Sequence, residues 1–415
     1  MEQLKPVAAH ERISIMDALR GFAIFGIFIA NLGSGFSFYT YSPQNTGPYF
    51  HQLDHAFEFW QHVFIEGKFY SIFSLLFGWG MAIQLKRSEV KGLPPVFFMR
   101  RRLGFMLLLG LAHLLLLWTG DIVAFYALVG FIFLWLRNWP EKKLFITAII
   151  LLLCPIPLYY LKMKFNWVAA PTGLLYQAGG IIDEKLSGVD SFDAFKQQLK
   201  HGNYITQLKA LLPGVFYRYA DLFFQSRVFK VLGMFILGYL LGKNDRYKQL
   251  ISNTKLLWII VVAGFAIGLP CNYMLAHYMA GDAYYQLKPA GLYRTIVYAF
   301  GVGPQAIAYV AMFFLLSHTS FGKKLFSILQ PVGKMAFSNY ITHSIIGTLV
   351  FYGCGLGLME EVGPVYYTIF GVLVFIAQII ISTLWLQYFN YGPIEWLWRS
   401  LTYGKAQPMK LKGQN

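Results

Sequence analysis

The sequence has few charged residues, and acidic residues are especially scarce. Charged residues make up 13% of the 415 residues, with 19 Asp and Glu against 35 Lys and Arg. Because a typical soluble domain is about 25% charged, this composition argues against a set of soluble domains. Hydrophobic residues make up 57% of the chain and aromatic residues 18%, which is typical of a protein that lies in a lipid bilayer.

Cysteine is also scarce, and no cleavable leader is evident. The chain has three Cys, of which Cys154 and Cys271 fall within or beside apolar stretches. This placement favours neither a disulfide framework nor a metal site built from Cys, so we expect no metal. The first residues lack the basic start, short apolar core and small-residue cleavage site of a signal peptide. We therefore expect the first apolar run to stay in the protein as a membrane span.

Long apolar stretches recur along the chain, and charge is confined to the gaps between them. A helix that crosses a bilayer needs roughly 20 predominantly apolar residues. The pattern predicts an all-α integral membrane protein, in which one polytopic bundle of about ten transmembrane helices forms a single domain, residues 1–415. The predicted spans are residues 20–38, 59–84, 103–119, 121–136, 144–161, 226–242, 256–276, 294–316, 333–353 and 364–389.

The Lys and Arg residues lie on alternate gaps between the predicted spans. If the N-terminus is cytoplasmic, each inner segment holds at least three basic residues, whereas the short outer loops hold only Lys288. This distribution follows the positive-inside rule, so it predicts that both termini are cytoplasmic. The formal net charge of +16 then reflects membrane topology, and we expect no nucleic-acid partner. We expect a multi-pass protein of the plasma or inner membrane.

Two segments lie outside the predicted spans. Residues 162–225 form a long outer insertion with an amphipathic stretch, DAFKQQLKHGNYITQLKALL, which we expect to lie along the outer surface. This stretch could cover or gate a site, or it could be an interfacial packing helix. Residues 390–415 carry Trp and Tyr with interleaved basic residues, which is typical of a cytoplasmic interfacial tail.

Polar side chains of the first predicted spans converge on the outer third of the bilayer. An ionisable group at membrane depth is costly, so such a cluster marks a candidate functional site, with a structural polar network as the competing explanation. His113 paired with Glu66 or Asp121 would suit general acid/base catalysis, because imidazole titrates near neutrality and a carboxylate can orient it. Alternatively, His113 could be a buried imidazole bonded to a carbonyl or hydroxyl, and Asp121 could simply cap the helix that carries His113. The residues of this cluster are Asn31, Glu66, Lys68, His113 and Asp121.

Three histidines lie on or near the first outer loop, at positions 51, 55 and 62. His51 or His55 could accept a proton from a hydroxyl or amine that arrives from outside. A metal site that uses these two and His62 is a weaker hypothesis, because neither a recognised ligand motif nor a cysteine supports it.

Charged residues at the inner ends of the spans suggest a phosphate-bearing ligand from the cytoplasm. Asp17 and Arg20 open the first span, and Arg101 and Arg102 belong to a run of three Arg before the third span. Arg binds phosphate through a bidentate fork, so these residues suit the phosphates of an acyl donor. The alternative is that the Arg run only follows the positive-inside rule.

The ninth predicted span carries polar side chains near the middle of the membrane. The run VGKMAFSNYITHSIIG contains Asn339, Tyr340 and His343. We expect these side chains to face the interior of the bundle, since polar groups in contact with lipid are costly.

Segments spread from residue 13 to about residue 405 resemble, in the same order, the YeiB-type membrane proteins. That family is catalogued as domain of unknown function 418. The segments that carry the resemblance are SIMDALRGFAIFGIFIAN, KFYSIFSLLFGWG, LLLGLAHLLLLWTGDIVAFYALVG, RVFKVLGMFILG, VGKMAFSNYITHSIIG and GPIEWLWRSLTYGK.

The opening of the chain also resembles heparan-α-glucosaminide N-acetyltransferase and, more distantly, other integral-membrane acyltransferases. Asp17, Arg20 and Asn31 match the shared opening, and Glu66 falls near an acid in the second span of the glucosaminide enzyme. These enzymes transfer an acyl group, often from cytoplasmic acetyl-CoA, to an amine or hydroxyl on the far side, with a histidine as the usual base. In the glucosaminide enzyme that histidine lies in the loop where this chain has His51 and His55.

Two further histidines are related to the family pattern in different ways. His113 lies inside the hairpin that resembles the family, so the resemblance ranks it first as the base. His343 stands where the family usually has Gln, which lowers its rank.

The residues and the resemblance together predict an O- or N-acyltransferase. It would move an acyl group, most often acetyl, from a cytoplasmic acyl-CoA to an extracytoplasmic glycan, lipid head group or metabolite. The general base would be His113 or His55, oriented by Glu66 or Asp121, and Asn31 would stabilise the oxyanion. The donor would be bound by Asp17, Arg20, Lys68, Arg101 and Arg102.

The alternatives are a transporter or exporter of a small metabolite or anion and an assembly partner of another membrane complex. The chain could also form a homodimer.

Overall fold

The computed structural model describes residues 13–39, 48–90, 92, 94–189, 191–279 and 283–411. Within these ranges the protein is all-helical, apart from an isolated β-bridge between Phe389 and Lys410. A π-helical turn, Leu32–Ser37, continues the first helix. The α-helices are α1 (Ser14–Asn31), α2 (Asp54–Phe64), α3 (Lys68–Val90), α4 (Pro95–Leu116), α5 (Val123–Leu136), α6 (Glu141–Leu153), α7 (Pro155–Lys164), α8 (Asn166–Ser187), α9 (Phe192–His201), α10 (Tyr204–Phe224), α11 (Arg227–Gly242), α12 (Arg246–Ser252), α13 (Thr254–Met279), α14 (Pro289–Leu316), α15 (Ser320–Lys334), α16 (Ala336–Phe351), α17 (Pro364–Tyr388) and α18 (Pro393–Tyr403).

Several of these helices are long and apolar enough to cross a bilayer. In the described part of the chain, four meet this standard alone: α1 with its π-helical turn, α13, α14 and α17. Two bent pairs raise the number to six if each pair is one span, because α6 and α7 meet at 41° and α10 and α11 meet at 68°. These four to six helices confirm the prediction of a helical membrane protein. The count of ten spans stays a prediction.

The second predicted span, residues 59–84, is not one continuous helix, so this prediction was wrong. Helix α2 ends at Phe64 and α3 begins at Lys68. Between them Gly67 has a φ of 81°, a backbone conformation that favours glycine and stops a right-handed helix. The break places Glu66 in a turn between two helices.

The amphipathic stretch within residues 162–225 is also divided, because α9 ends at His201 and α10 begins at Tyr204. The side chain of Asn203 accepts a hydrogen bond from the backbone N–H of Thr206 at 3.0 Å and so starts the second helix. Helix α10 packs along α8, and α9 lies beside α10. The insertion therefore forms a three-helix unit.

Small residues bring the central helices close together. A Cβ atom at Gly78 of α3 would collide with the backbone of Phe235 in α11, and one at Gly238 of α11 would collide with the backbone of Leu75 in α3. Helices in a membrane gain little from hydrophobic contact with one another, so close packing through glycine is a main source of their association. A Cβ atom at Gly21 of α1 would likewise collide with the backbone of Leu329 in α15.

Burial separates the inner helices of the bundle from the outer ones. In an 18-residue apolar stretch of α1 and its π-helical turn, 72% of the residues are buried, whereas in the corresponding stretch of α17 only 22% are buried. Helix α1 therefore lies in the core, and α17 presents most of its apolar surface to lipid. The tail helix α18 returns to the bundle, where the Glu395 carboxylate accepts hydrogen bonds from the N–H groups of Phe337 and Ser338 at the start of α16.

Candidate functional site: a polar cavity at two helix breaks

A polar cavity of about 1600 Å³ lies between the helices. Its walls come from the end of α1, the turns between α2 and α3 and between α4 and α5, helices α8 to α11, and parts of α13 and α14. Two helix breaks open onto the cavity, one between α2 and α3 and the other between α10 and α11. Broken helices place backbone and polar groups at membrane depth, which is a common way for membrane proteins to build ligand sites.

The helix break after α2 is stabilised by Lys68. The Lys68 side chain is fully buried, and its ammonium donates a hydrogen bond to the backbone carbonyl of His62. That carbonyl lies in the last turn of α2 and would otherwise have no helical partner. We expected Lys68 to bind the acyl donor, but it does not line the cavity. Its contact instead holds the turn that carries His62 and Glu66.

The hairpin of α13 and α14 satisfies the next two carbonyls of the break. The Gln305 side chain donates to the carbonyl of Val63 at 3.2 Å, and the Tyr309 hydroxyl donates to the carbonyl of Phe64 at 3.1 Å. Asn272 donates to the Gln305 side-chain oxygen at 2.7 Å and so orients the amide. Because these groups are buried, the break is a fully hydrogen-bonded element of the fold.

The break brings together an imidazole and a carboxylate that face the cavity. Nδ1 of His62 is hydrogen-bonded to Oε2 of Glu66, and both residues line the cavity. Side-chain exposure is 20% for His62 and 37% for Glu66, so the pair is accessible from the cavity. A carboxylate only accepts hydrogen bonds, so Nδ1 carries a proton, and in the neutral imidazole Nε2 keeps its lone pair. This arrangement can act as a general base.

Sequence reasoning missed this pair. His62 was considered only as part of a weak metal hypothesis, and Glu66 was matched with His113. The pair could have been found from the spacing of His62 and Glu66, which are four residues apart in a segment predicted to be helical. The described residues contain no group of three or more His, Cys, Asp or Glu side chains placed to hold a metal ion.

Asn31 and His55 also line the cavity. Asn31 ends α1, and its side-chain amide makes no hydrogen bond with the described residues, so it is free to donate to a ligand. His55 is exposed on the first turn of α2, with its ring centroid 6.3 Å from that of Tyr39. His51 does not line the cavity, and its Nδ1 accepts a hydrogen bond from the backbone N–H of Leu53 at 3.1 Å.

His113 and Asp121 are paired, as one of the predicted combinations required. His113 Nδ1 lies 2.8 Å from Asp121 Oδ2, and His113 Nε2 lies 2.8 Å from the Ser344 hydroxyl. Asp121 Oδ1 accepts the N–H of Ala124, so Asp121 caps α5 and not the helix of His113, which corrects the predicted cap. The side chains of His113, Asp121 and Ser344 are buried and do not line the cavity. Tyr340 lines the cavity and contacts the His113 ring, so it separates these side chains from the cavity. They connect α4, α5 and α16.

Asn339 and His343 belong to another buried network, between α16 and α17. His343 Nε2 lies 2.7 Å from the Gln378 side-chain oxygen, and the His343 ring stacks on Phe28 with centroids 3.9 Å apart. The Asn339 amide donates to the Ser382 hydroxyl at 3.1 Å. Neither Asn339 nor His343 lines the cavity, whereas Tyr340 does.

The predicted donor-binding arginines lie away from the cavity. Arg20 is paired with Asp17 at 2.9 Å. The Arg102 guanidinium stacks 3.6 Å from the ring centroid of Trp398, and Arg101 donates to a backbone carbonyl of the tail helix α18 at 3.0 Å. Arg101 and Arg102 therefore attach the tail to α4.

Sequence reasoning also missed four basic side chains that line the cavity, which we term the cation cluster. Arg218 lies on α10, Arg227 and Lys230 lie in the first turn of α11, and Arg294 lies on α14. In the described part of the chain, none of the four forms an ion pair with a carboxylate. Arg294 also acts electrostatically on Glu66, so the cluster lies beside the histidine–carboxylate pair.

Tyrosine rings hold the cations in place. Lys230 Nζ lies 3.8 Å from the ring centroid of Tyr298, and the Arg227 guanidinium lies 5.2 Å from that of Tyr70. The hydroxyls of Tyr70 and Tyr298 are hydrogen-bonded at 2.6 Å. Cation–π contacts position a charge without neutralising it, so the cluster keeps its positive potential.

Comparison with known proteins gives a consistent family assignment. Residues 241–405 match the family described as "Protein of unknown function (DUF418)". The chain is 32% identical to the uncharacterized protein YxaH of Bacillus subtilis, over 99% of both chains. It is 28% identical to the uncharacterized protein YeiB of Escherichia coli, over 96% of this chain and 98% of that one. No solved structure matches.

Proposed function

The chain belongs to the DUF418 family of proteins of unknown function, and we propose that it is a membrane-embedded acyltransferase whose reaction takes place in the polar cavity. The observation that carries the proposal is the His62–Glu66 pair, which faces a cavity that the free amide of Asn31 also lines. A histidine oriented by a carboxylate, next to a hydrogen-bond donor, is the combination that acyl transfer needs.

The proposed topology has ten spans with both termini in the cytoplasm. It adds α3, α4, α5, α11 and α16 to the longer apolar helices, with α6 and α7 together as one bent span. The distribution of Lys and Arg supports this orientation. The cavity then opens toward the outer side, where α8, α9 and α10 cover it.

In the proposed reaction, Nε2 of His62 accepts a proton from a hydroxyl or amine of the acceptor. The acceptor oxygen or nitrogen then forms a bond to the thioester carbonyl carbon of the acyl donor. Asn31 donates a hydrogen bond to the oxyanion that develops. The carbon–sulfur bond breaks, the thiolate takes the proton from His62, and an acylated acceptor and free thiol are released. Glu66 stabilises the imidazolium that exists between the two proton transfers.

His62 is the proposed base because its position differs from those of the other histidines. His113 is buried away from the cavity, and we propose that it has a structural role with Asp121 and Ser344. His55 lines the cavity, but no described carboxylate is hydrogen-bonded to it. We propose that His55 contacts the acceptor.

The proposed acyl donor is an acyl-CoA that approaches the inner ends of α1 and α4. Arg20 and Arg399 both lie within electrostatic range of Arg102 there. Arg20 keeps 31% of its side chain exposed despite its pair with Asp17. Guanidinium groups in such a cluster suit the phosphates of the donor.

A transporter for a small anion is the second candidate function. The cation cluster and the helix breaks favour it, since transporters commonly place binding sites at broken helices. An enzyme binds and consumes acyl-CoA without a gradient, whereas a transporter moves its solute across a sealed membrane.

The donor is tested by the thermal stability of the full chain in detergent, with and without acetyl-CoA and longer acyl-CoAs. A ligand that binds only the folded protein must raise the unfolding temperature. We expect a rise in the wild type and in Lys324→Ala, an exposed-charge control, and a smaller rise in Arg20→Ala. The absence of a shift with every acyl-CoA would contradict the enzyme and favour the transporter.

A further inference from the structure

The cation cluster has no part in the proton transfers proposed above, and no carboxylate of the described residues forms an ion pair with it. Lys230 experiences repulsion from Arg227 and Arg294, and Arg218 experiences repulsion from Arg227, whereas Asp221 attracts both from a greater distance than an ion pair. Like charges held together at membrane depth cost free energy unless a counter-charge is supplied. A bound anion would supply that counter-charge.

Asp221, a carboxylate that lines the cavity beside the cluster, is engaged in other hydrogen bonds. Asp221 Oδ1 accepts a hydrogen bond from the Tyr285 hydroxyl at 2.9 Å, and its carboxylate also accepts from Gln225 at 2.8 Å. The Gln225 oxygen in turn accepts from Nε of Arg227 at 2.9 Å. Asp221 therefore orients Arg227 through Gln225, and the terminal nitrogens of Arg227 stay available for a ligand.

Helix α11 adds to the positive potential of the cluster. It begins at Arg227 after the sharp bend at Ser226, which has a φ of 55°, and no side chain caps its first N–H groups. The N-terminus of a helix carries a partial positive charge and free N–H donors, both of which favour anions. Arg227 and Lys230 lie in that same first turn.

We propose that the cation cluster binds a phosphate or diphosphate group of the acceptor, so that the acceptor of the proposed acyl transfer is a phosphorylated molecule. This inference rests on the proposed function. Arg forks bind the oxygens of phosphate in pairs, and a group of several cations suits an anion that carries more than one negative charge. The ligand would lie with its phosphate on Arg227 and Arg294 and its hydroxyl or amine at His62.

The size and lining of the cavity agree with this ligand. Its volume of about 1600 Å³ exceeds the roughly 300–1,000 Å³ of a typical small-molecule site, which leaves room for the acceptor and the acyl end of the donor. Tyr70, Tyr284 and Tyr298 line the region of the cluster, where their rings contact Arg227, Arg294 and Lys230, respectively.

The test measures binding of radiolabelled inorganic pyrophosphate to the full chain in nanodiscs of neutral phosphatidylcholine, at constant ionic strength. We expect saturable binding that is weakened about tenfold or more in Arg227→Gln and in Arg294→Gln, consistent with the loss of a charge-assisted contact. Lys324→Gln, which removes an exposed charge from α15, keeps wild-type binding. Two variants on different helices are used so that misfolding of one does not decide the result.

Nanodiscs that contain phosphatidic acid distinguish the two sources of the phosphate. Competition of this lipid with pyrophosphate identifies a lipid-borne phosphate, whereas unchanged binding of pyrophosphate identifies a soluble one, and both results support the inference. Equal binding in the wild type and both variants, or no binding of either ligand, overturns it. Loss of acetyl-CoA binding in Arg227→Gln without any pyrophosphate binding also overturns it, because the cluster would then bind the donor.

Failure of this inference can be separated from failure of the proposed function. If pyrophosphate does not bind but acyl-CoA turnover depends on His62, the cluster has another role and the acyltransferase stands. If turnover persists in His62→Ala, the acyltransferase mechanism is wrong whatever binds to the cluster.

Discussion

His62 and Glu66 lie on either side of the end of helix α2, and the imidazole Nδ1 is hydrogen-bonded to the carboxylate. Residues four apart in a continuous helix share a face, but here Glu66 lies in the turn beyond the last residue of α2. The pair therefore depends on the break that follows Phe64, and the hydrogen bonds that stabilise the break also fix the geometry of the proposed base.

Removal of the Glu66 carboxylate should reduce activity with little loss of folding. Glu66→Gln no longer stabilises the imidazolium of His62, so we expect acyl-CoA turnover to fall about 100-fold, within the range for general-base catalysis. Glu184→Gln, which also removes a carboxylate that lines the cavity, is the matched control and should retain activity. Equal rates for the two variants would refute the role of Glu66.

Replacement of Lys68 by Met should destabilise the protein. The change leaves the buried carbonyl of His62 without its donor, which costs about 1–3 kcal/mol. The measurement is the free energy of unfolding of the detergent-solubilised protein. Lys86→Met removes a half-exposed lysine that is paired with Asp245 at 3.0 Å, and a surface pair of this kind contributes at most about 1 kcal/mol. If both variants unfold alike, the proposed support of the helix break is incorrect.

The contact between α3 and α11 should not tolerate a side chain at Gly238. Gly238→Val puts a branched side chain against the backbone of Leu75, so we expect a large loss of folded, monodisperse protein in size-exclusion chromatography. Gly104→Ala is the control, because a Cβ atom there meets no other atom within 4 Å. That change should be neutral or slightly stabilising, since Ala has a higher helix propensity than Gly. A well-folded Gly238→Val protein would show that the helices do not pack as closely as described.

Helix α9 should cover the cavity and be held in place by two ion pairs. Lys196 pairs with Glu360 at 2.6 Å, Lys200 pairs with Glu361 at 2.9 Å, and the α9 residues Phe195 and Leu199 line the cavity. Burial lowers the pKa of Lys196, but Glu360 and Asp193 raise it by more, so the net pKa lies above its ordinary value and the ammonium is charged at neutral pH. The stabilisation is therefore complete below the ordinary pKa of lysine and is lost only as the pH rises through the higher folded value.

Disruption of this cover should be visible in hydrogen exchange. Glu360→Gln weakens the pair with Lys196, so we expect the amides of α9 to exchange faster, while those of α13 are unchanged. Unaltered exchange in α9 would mean that the Lys200–Glu361 pair and the hydrogen bond from the Gly353 N–H to the Leu199 carbonyl hold the helix without the Lys196–Glu360 pair.

Part of the fold follows directly from the sequence. The apolar runs predict a helical membrane protein, and the lengths of α13, α14 and α17 agree with three of the predicted spans. The break at Gly67 was not predicted, because the stretches before Glu66 and after Lys68 are largely apolar and two of the hydrogen bonds that stabilise the break come from Gln305 and Tyr309, far along the chain. Local hydrophobicity contains no information on such distant partners.

The candidate site was predictable only in part. Asn31, Glu66 and His55 were singled out by their depth or by the resemblance, and all three line the cavity. Arg218 and Arg294 were not, because each is an isolated basic residue in its own segment and only the packing of α10 against the rest of the bundle brings them near one another. His113 was favoured because it lies in the hairpin that resembles the family, but the sequence does not distinguish a residue buried behind the cavity wall from one that lines the cavity.

The most direct test of the account is turnover of acetyl-CoA by the purified full chain in nanodiscs, with the release of free thiol as the measured signal. The account predicts turnover in the wild type and in His51→Ala, which removes a nearby histidine that does not line the cavity. It predicts a loss of about 100-fold or more in His62→Ala, because the variant lacks the proposed general base that Glu66 orients. Equal turnover in His51→Ala and His62→Ala, or no turnover in the wild type with any acyl-CoA, would contradict it.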